Sequence, residues 1–339
     1  MSAVDATNRQ FRLASRPEGL PGRDAWDMTE EAPREPADGE ALVKVLMLSL
    51  DPAMRGWMND VPSYIPPVGI GEVMRAIGVG QVVASRCEQV SDGDYVTGLC
   101  GIQEYTTVPG EALTPVDPSL APLPTYLNVL GMPGMTAYFG LLDVGEPQPG
   151  ETVVVSGAAG AVGATVGQIA KIKGCRAVGI AGGPEKCRLL IDEFGFDEAI
   201  DYKSEELVPA LREKCPDRVN VYFDNVGGEA LDAALARLAR GARIVICGTV
   251  SQYNESTMRG PSNYMALLVR RARMEGFVVF DFADRYAEAA REMAGWMREG
   301  KLVGREDVVT GIETFPETLN KLFRGENKGK LILQVADTA

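Results

Sequence analysis

The residues that could do chemistry in this chain are a set of glycines and the polar groups near them, because histidine is missing altogether. Its absence removes Ser-His-Asp and Cys-His nucleophile pairs, HExxH zinc sites and any imidazole base. Whatever chemistry occurs must then use other groups or a cofactor. After the run TVVVS (152–156) stands Gly157-Ala158-Ala159-Gly160-Ala161-Val162-Gly163. Read as GxGxxG, Ala158 holds the first place and Gly160 and Gly163 the second and third. In such a turn the second glycine lets the backbone approach a pyrophosphate, and the third lets helix and strand pack closely. The N–H groups that open the helix, at Ala161, Val162 and Gly163, would then face the phosphates.

A site for NAD carries Asp or Glu at the end of the second strand, bonded to the ribose 2′-OH. Here that strand ends Ile180-Ala181-Gly182-Gly183, so no carboxylate repels a 2′-phosphate. Lys186 follows in the first turn of the next helix, and Tyr202 follows the third short strand. Both could hold that phosphate, which points to NADP(H). Gly160, Gly163, Ala164 and Gly167 share one helical face by spacing, so that face can lie close to its neighbours.

The elements that must position these residues follow from patterning. Up to about residue 125 the chain reads as short strands: 11–15, 41–50, 71–85, 94–99 and 104–108, broken by Gly, Pro and Asp-Gly. They suggest a compact, partly open barrel. The Pro-rich stretches 63–69 and 114–124 read as loops. From about 130 strands alternate with helices: strand 152–156, helix 160–173, strand 176–181, helix 184–194, strand 199–202, strand 219–226, helix 229–240, strand 243–248, helix 261–275, strand 276–282 and helix 284–299. This order predicts an open, doubly wound parallel sheet. Strands at 302–312 and 330–335, with a helix at 316–324, suggest a return to the first domain.

The 339 residues fit two domains, and 45% hydrophobic with 24% charged residues is ordinary for a globular protein. A net charge of −13 disfavours nucleic acid and anionic lipid as partners. No apolar run suits a membrane span, and the polar N-terminus does not read as a secretory signal. The six cysteines form no CxxC pair and read as free thiols in a reducing cytoplasm.

The run GMPGMTAYFGLLDVGEPQPGETVVVSGAAGAVGATVGQIAKIKGCRAVGIAGG (131–183) resembles the zinc-free medium-chain dehydrogenase/reductases. Within them it is most similar to the NADPH-dependent 2-alkenal (enone) reductases, the group that includes prostaglandin and curcumin reductases. LSLDPAMRGWM (48–58), DYK (201–203), FDNVGG (223–228), ICGTVSQYN (246–254), RMEGFVV (273–279) and GENKGK (325–330) extend the resemblance over nearly the whole chain. It implies an α/β fold: a Rossmann NADP-binding domain (128–303) beside a GroES-like, mostly β catalytic domain (1–127 and 304–339). It assigns Gly160 to Gly163 to the pyrophosphate, and Lys186 and Tyr202 to the 2′-phosphate. Asn225 and the loop Cys247, Gly248, Thr249 to Tyr253 would border the ribose and nicotinamide. Phe277, Val278 and Val279 would offer backbone to the carboxamide, and Asn327 would reach the cofactor from the C-terminal segment. A homodimer is also implied.

Two departures matter. Ala53 stands where the family often has a pocket Tyr after Asp-Pro; Tyr64 matches another pocket Tyr, and Tyr264 is a weaker candidate. Gly71-Glu72 lacks the His of the zinc-dependent relatives, and no four-Cys cluster exists, so no metal is expected. The resemblance implies hydride transfer to the β-carbon of an enone or enal, with Tyr64, Tyr253 or the cofactor ribose supporting the developing enolate. The alternatives are a quinone oxidoreductase on the same fold and a non-catalytic NADPH-binding protein. A methyltransferase would want an acid after the second strand, which is absent.

Overall fold

The computed structural model describes residues 6–255 and 257–337. They divide into two compact units. One runs up to Leu127 and resumes at Glu306; the other is Asn128–Arg305.

The first unit opens with β1 (Asn8–Leu13), β2 (Trp26–Glu31), β3 (Glu40–Ser49), a short helix α1 (Ala53–Trp57), β4 (Ile77–Ser85), β5 (Tyr95–Leu99), β6 (Tyr105–Pro109) and β7 (Thr114–Val116). β3 pairs antiparallel with β4 and also with β6. β2 and α1 carry no strong pattern of their own. The expected strand at 71–85 begins only at Ile77, and Thr114–Val116, expected as loop, pairs with β5. Pro115 is tolerated because β7 lies at the edge of its sheet.

The second unit holds α2 (Met132–Phe139), β8 (Thr152–Ser156), α3 (Ala161–Ile172), β9 (Arg176–Ala181), α4 (Pro184–Asp192), β10 (Glu198–Asp201), α5 (Leu207–Lys214), β11 (Val219–Asp224), α6 (Gly228–Leu235), β12 (Leu238–Ile246), α7 (Met265–Arg270), β13 (Arg273–Gly276) and α8 (Tyr286–Arg298). Its strands form one sheet in the order β10-β9-β8-β11-β12-β13, every pair parallel. This is the doubly wound arrangement expected of the Rossmann half, and its order reverses between β8 and β11. The β-branched run of β8 is buried throughout. Val153 and Val155 pack into one apolar cluster with Ile169, Leu190 and Phe223, while Val154 joins Val178, Leu211 and Tyr222 in another. A strand buried on both faces needs no alternation, which is why this one reads as continuous.

Three expected elements of this unit are corrected. The helix expected at 229–240 stops at Leu235, because Leu238 pairs with Val219 and starts β12. Sheet pairing here overrides the helical preference of an Ala-Arg-Leu segment. The helix expected at 261–275 shrinks to Met265–Arg270, and Arg271 leaves it with φ +53 before β13. The strand expected at 276–282 ends at Gly276, opposite Ile246, where its partner β12 also ends. Beyond that point Val279–Arg285 coils into a 3₁₀ turn.

The chain then returns to the first unit with β14 (Glu306–Thr310), α9 (Phe315–Arg324) and β15 (Lys330–Gln334). β14 pairs with β15, and β15 runs antiparallel to β3, completing the order β14-β15-β3-β4-β5-β7. Phe315 of α9 anchors this core, edge-on to Trp26 at 4.8 Å and tilted to Phe11 at 5.3 Å.

Candidate functional site

The glycine turn is built as a close approach of backbone to backbone. Gly157 follows β8 with φ +60, a conformation that favours glycine. The N–H of Ala158 donates to the Ile180 carbonyl of β9 at 3.0 Å, and that of Gly160 returns to the Gly157 carbonyl at 3.0 Å. Gly160 then caps α3 in extended geometry, with no side-chain cap and no acid in the first turn. A Cβ on Gly163 would strike the Gly157 carbonyl, and one on Gly167 would strike the ring of Phe196. The shared small face therefore exists, packed against the turn and against Phe196. Ala158 replaces the first glycine at little cost, because Gly179 faces it: a Cβ there would lie 2.9 Å from that of Ala158. The uncapped amides of Ala161, Val162 and Gly163, opened by a turn a side chain would fill, fit a pyrophosphate.

The end of β9 is covered by the end of β10. A Cβ on Gly182 would lie 2.9 Å from the Tyr202 hydroxyl and 3.0 Å from Lys203 Cε. Tyr202 itself is exposed, just past the strand, and Lys186 is half-buried in the first turn of α4. Asp201 is buried beneath them. Its Oδ1 accepts from the N–H of Gly183 at 2.7 Å and of Lys203 at 3.0 Å, and its Oδ2 accepts from the Ser204 hydroxyl at 2.9 Å. Burial pushes its carboxyl up, but these donors and the Lys203 charge outweigh that and hold it below the usual range. The motif DYK (201–203) named Asp201 and Lys203 without giving either a role; that signal lay in the register that sets Asp201 beside Ala181.

At the reversal of strand order, Asp224 ends β11 fully buried. Its Oδ1 accepts from the Ser156 hydroxyl (2.8 Å), the Tyr222 hydroxyl (3.2 Å) and the N–H groups of Val226 (3.1 Å) and Gly227 (3.0 Å). Its Oδ2 has no hydrogen-bond partner among the described residues. Burial pushes this carboxyl above its usual range, against the pull of those donors. Asn225 is locked to β8: its N–H donates to Ser156 Oγ at 2.9 Å and its amide to the Ser156 carbonyl at 2.8 Å.

The loop after β12 continues along the same edge. Cys247 and Gly248 N–H donate to the Asp224 carbonyl at 2.9 and 3.0 Å, and Val250 N–H to that of Asn225 at 3.1 Å. Thr249 N–H donates to the Tyr253 hydroxyl at 3.4 Å. Burial of the Cys247 sulfur, with Asp224 nearby, pushes its thiol up to about 12, so it is a filler rather than a nucleophile at neutral pH. Phe277, Val278 and Val279 are half-buried. The Val278 carbonyl accepts from Asp281 and the Val279 carbonyl from the Tyr286 hydroxyl.

In the first unit, Tyr64 is 56% exposed in the 63–69 loop, and Ala53 opens α1. Asn327 is buried, its amide donating to the Gly329 carbonyl at 2.8 Å. Lys330, the last residue of GENKGK, is buried with Nζ on Asp51 Oδ1 (2.6 Å) and the Leu50 carbonyl (2.8 Å). It pins the Asp-Pro corner that precedes Ala53. Tyr264, in the second unit, is 61% exposed.

The chain is similar to known oxidoreductases along nearly its whole length. A family model described as the N-terminal domain of oxidoreductase matches residues 9–116, and one described as zinc-binding dehydrogenase matches 161–295. The NADPH-dependent curcumin reductase of Escherichia coli is 44% identical, over 97% of this chain and 97% of that protein. The NADP-dependent 2-alkenal reductase of Nicotiana tabacum is 40% identical, over 98% of this chain and 99% of its own. The crystal structure of CurA from Vibrio vulnificus in complex with NADPH superimposes with a TM-score of 0.92 at 43% identity, over 97% of this chain and 100% of that one.

Proposed function

This chain belongs to the NADP-dependent reductases of the medium-chain dehydrogenase/reductase family, the group of the curcumin and 2-alkenal reductases, and we propose on that footing that it reduces the carbon–carbon double bond of α,β-unsaturated ketones and aldehydes. One observation carries the reading. A backbone-tight glycine turn at 157–163 stands beside a strand end whose glycine, Gly182, is covered by a phenol and a lysine stem where an NAD site would hold a carboxylate.

NADPH, when bound, supplies the hydride. The amides of Ala161 to Gly163 would hold its pyrophosphate, and Lys186 and Tyr202 its 2′-phosphate. Asn225, the loop Cys247 to Tyr253 and the backbone of Phe277 to Val279 would border the ribose and nicotinamide. As the β-carbon of the substrate gains hydride, charge gathers on its carbonyl oxygen. A hydrogen-bond donor aimed at that oxygen lowers the barrier; Tyr253 and Tyr64 are the phenols proposed for the task. The α-carbon takes its proton from water or a phenol. The course needs no metal. The chain has no histidine to serve as a zinc ligand.

A homodimer is proposed through the second unit. β13 is the terminal strand of its sheet, and α7, which packs against β12, exposes Met265, Leu268 and Val269. Six free cysteines suit a reducing cytoplasm.

The test is NADPH oxidation by the purified protein against a 2-alkenal, an aryl enone and a quinone, with NADP+ reduction by an alcohol as the fourth arm. The expected result is turnover of enal and enone, with the saturated carbonyl as product. Faster turnover of the quinone would move the chain to a different acceptor, and binding of NADPH without turnover would make it a cofactor-binding protein.

A further inference from the structure

We propose that Lys203 is a further contact for the 2′-phosphate of NADPH, and that Asp201 is the positioning residue that holds it and Tyr202 over Gly182. The proposal deepens the NADPH reading and rests on it.

Electrostatics set the need. The chain carries a net charge of −13, so a phosphate dianion approaches only where local cations oppose that field. Lys186 supplies one such cation, but at the first turn of α4. The geometry supplies another. The Lys203 stem and the Tyr202 hydroxyl converge on the same glycine, within 3.0 and 2.9 Å of the place a Gly182 Cβ would take. Gly182 occupies the strand-end position where a ribose-binding acid would stand, so both side chains cover the face a 2′-phosphate must meet. They also exclude the acid: any side chain at 182 would have to displace them.

Asp201 explains why the two turns stay in register. One oxygen, Oδ1, accepts the N–H of Gly183 from one turn and of Lys203 from the other. Gly183 is the N-cap of α4, so the same carboxylate fixes the first turn that carries Lys186. The backbone of Asp201 is held in turn, its N–H on Glu205 Oε1 at 2.8 Å, and Glu205 Oε2 pairs with Lys214 at 2.8 Å. A carboxylate therefore lies near the phosphate site with its oxygens turned onto donors, which offset part of its repulsion. Lys214 is engaged by Glu205 and by the Ala199 carbonyl.

The experiment compares binding of 2′,5′-ADP and 5′-AMP by calorimetry, and kcat/KM for NADPH and NADH, in wild type, Lys203→Met, Lys203→Arg and Asp201→Asn. Lys203→Met should lower the NADPH:NADH ratio, and the preference for 2′,5′-ADP, by about tenfold, as for one partly exposed charge-assisted contact. Lys203→Arg should restore most of it. Asp201→Asn should raise KM for NADPH more than for NADH, with kcat little changed; a merely structural role would raise KM for both cofactors alike. If Lys203→Met keeps the wild-type preference for 2′,5′-ADP, the proposal is overturned. If wild type itself does not prefer 2′,5′-ADP, the NADPH reading fails first. Should Asp201→Asn not fold, the Lys203 pair still decides.

Discussion

Ser156 at the end of β8 donates its hydroxyl to Asp224 Oδ1 at the end of β11, 2.8 Å away, at the point where the strand order of the sheet reverses. The same hydroxyl oxygen accepts the N–H of Asn225 at 2.9 Å. One small side chain thus joins the strand that feeds the glycine turn to the strand that presents Asn225. Ser156→Ala leaves the Asn225 N–H without this acceptor and Asp224 short of a donor. It should cost about 1–3 kcal/mol in urea unfolding and raise KM for NADPH. An unchanged denaturation midpoint together with an unchanged KM would show that the join carries no load.

Asp224 gives a signed pH dependence. Its carboxyl is pushed up in the folded protein, chiefly by burial. Between the unfolded value, about 3.9, and the raised folded value, the unfolded chain has released its proton and the folded one has not. Stability from this group is therefore fully present below about pH 3.9 and falls as pH rises through the folded value. Asp224→Asn cannot ionise. Unfolding free energies of the two proteins across that window should diverge, wild type losing ground to the variant as pH rises. A constant difference would contradict the shift.

Glycines separate by what surrounds them. Gly163 faces the Gly157 carbonyl, so Gly163→Ala forces backbone apart, costing about 1–3 kcal/mol and weakening NADPH binding at least about tenfold. Gly295, inside α8, has nothing within 4 Å of an added Cβ. Gly295→Ala should instead stabilise by about 0.5–1 kcal/mol. Thermal melts of the two variants that move in the same direction would refute this contrast.

The glycine turn, the missing acid after β9 and the strand–helix alternation were legible in the sequence because each is a local signal. TVVVS, its turn and α3 need no distant partner to be recognised. What was hidden depends on pairing. The start of β12 at Leu238 follows from Val219 opposite it, and the end of β13 at Gly276 from where β12 stops. Asp201 and Lys203 acquire meaning only once β10 lies beside β9 in a given register. Lys330 likewise looks like one more surface lysine until β15 pairs with β3 and buries it against Asp51.

The cysteines should label in a fixed order. The Cys87 thiol is held below its ordinary value by the Ser85 hydroxyl and by backbone groups of Val90 and Gln89. Burial pushes Cys100 and Cys247 up to about 12, and Cys175 and Cys215 up to about 11. The thiolate is the species that alkylates, so iodoacetamide at pH 7.5 should modify Cys87 first and leave those four for the unfolded chain. Peptide mass spectrometry over a time course reads the order directly. Early labelling of Cys247 would mean that the loop beside Asp224 opens far more than its backbone bonds allow.

The phenol role proposed for Tyr253 can be tested through the loop that holds its side chain. Its hydroxyl lies 3.4 Å from the Thr249 N–H and 3.0 Å from the position of a Gly248 Cβ, so the ring folds back over the segment that continues β12. A phenol oxygen that accepts an amide N–H still has a proton to donate, and a substrate carbonyl gaining charge is the stronger acceptor. Tyr253→Phe keeps the ring and removes only that donor. Losing one oriented donor costs about 10²-fold in kcat where the site is well ordered, and KM for NADPH should move far less. Tyr64→Phe gives the parallel measurement for the exposed phenol of the first unit. If enone turnover survives both substitutions and their combination undiminished, neither phenol supports the oxygen, and the task falls to the cofactor ribose or to water.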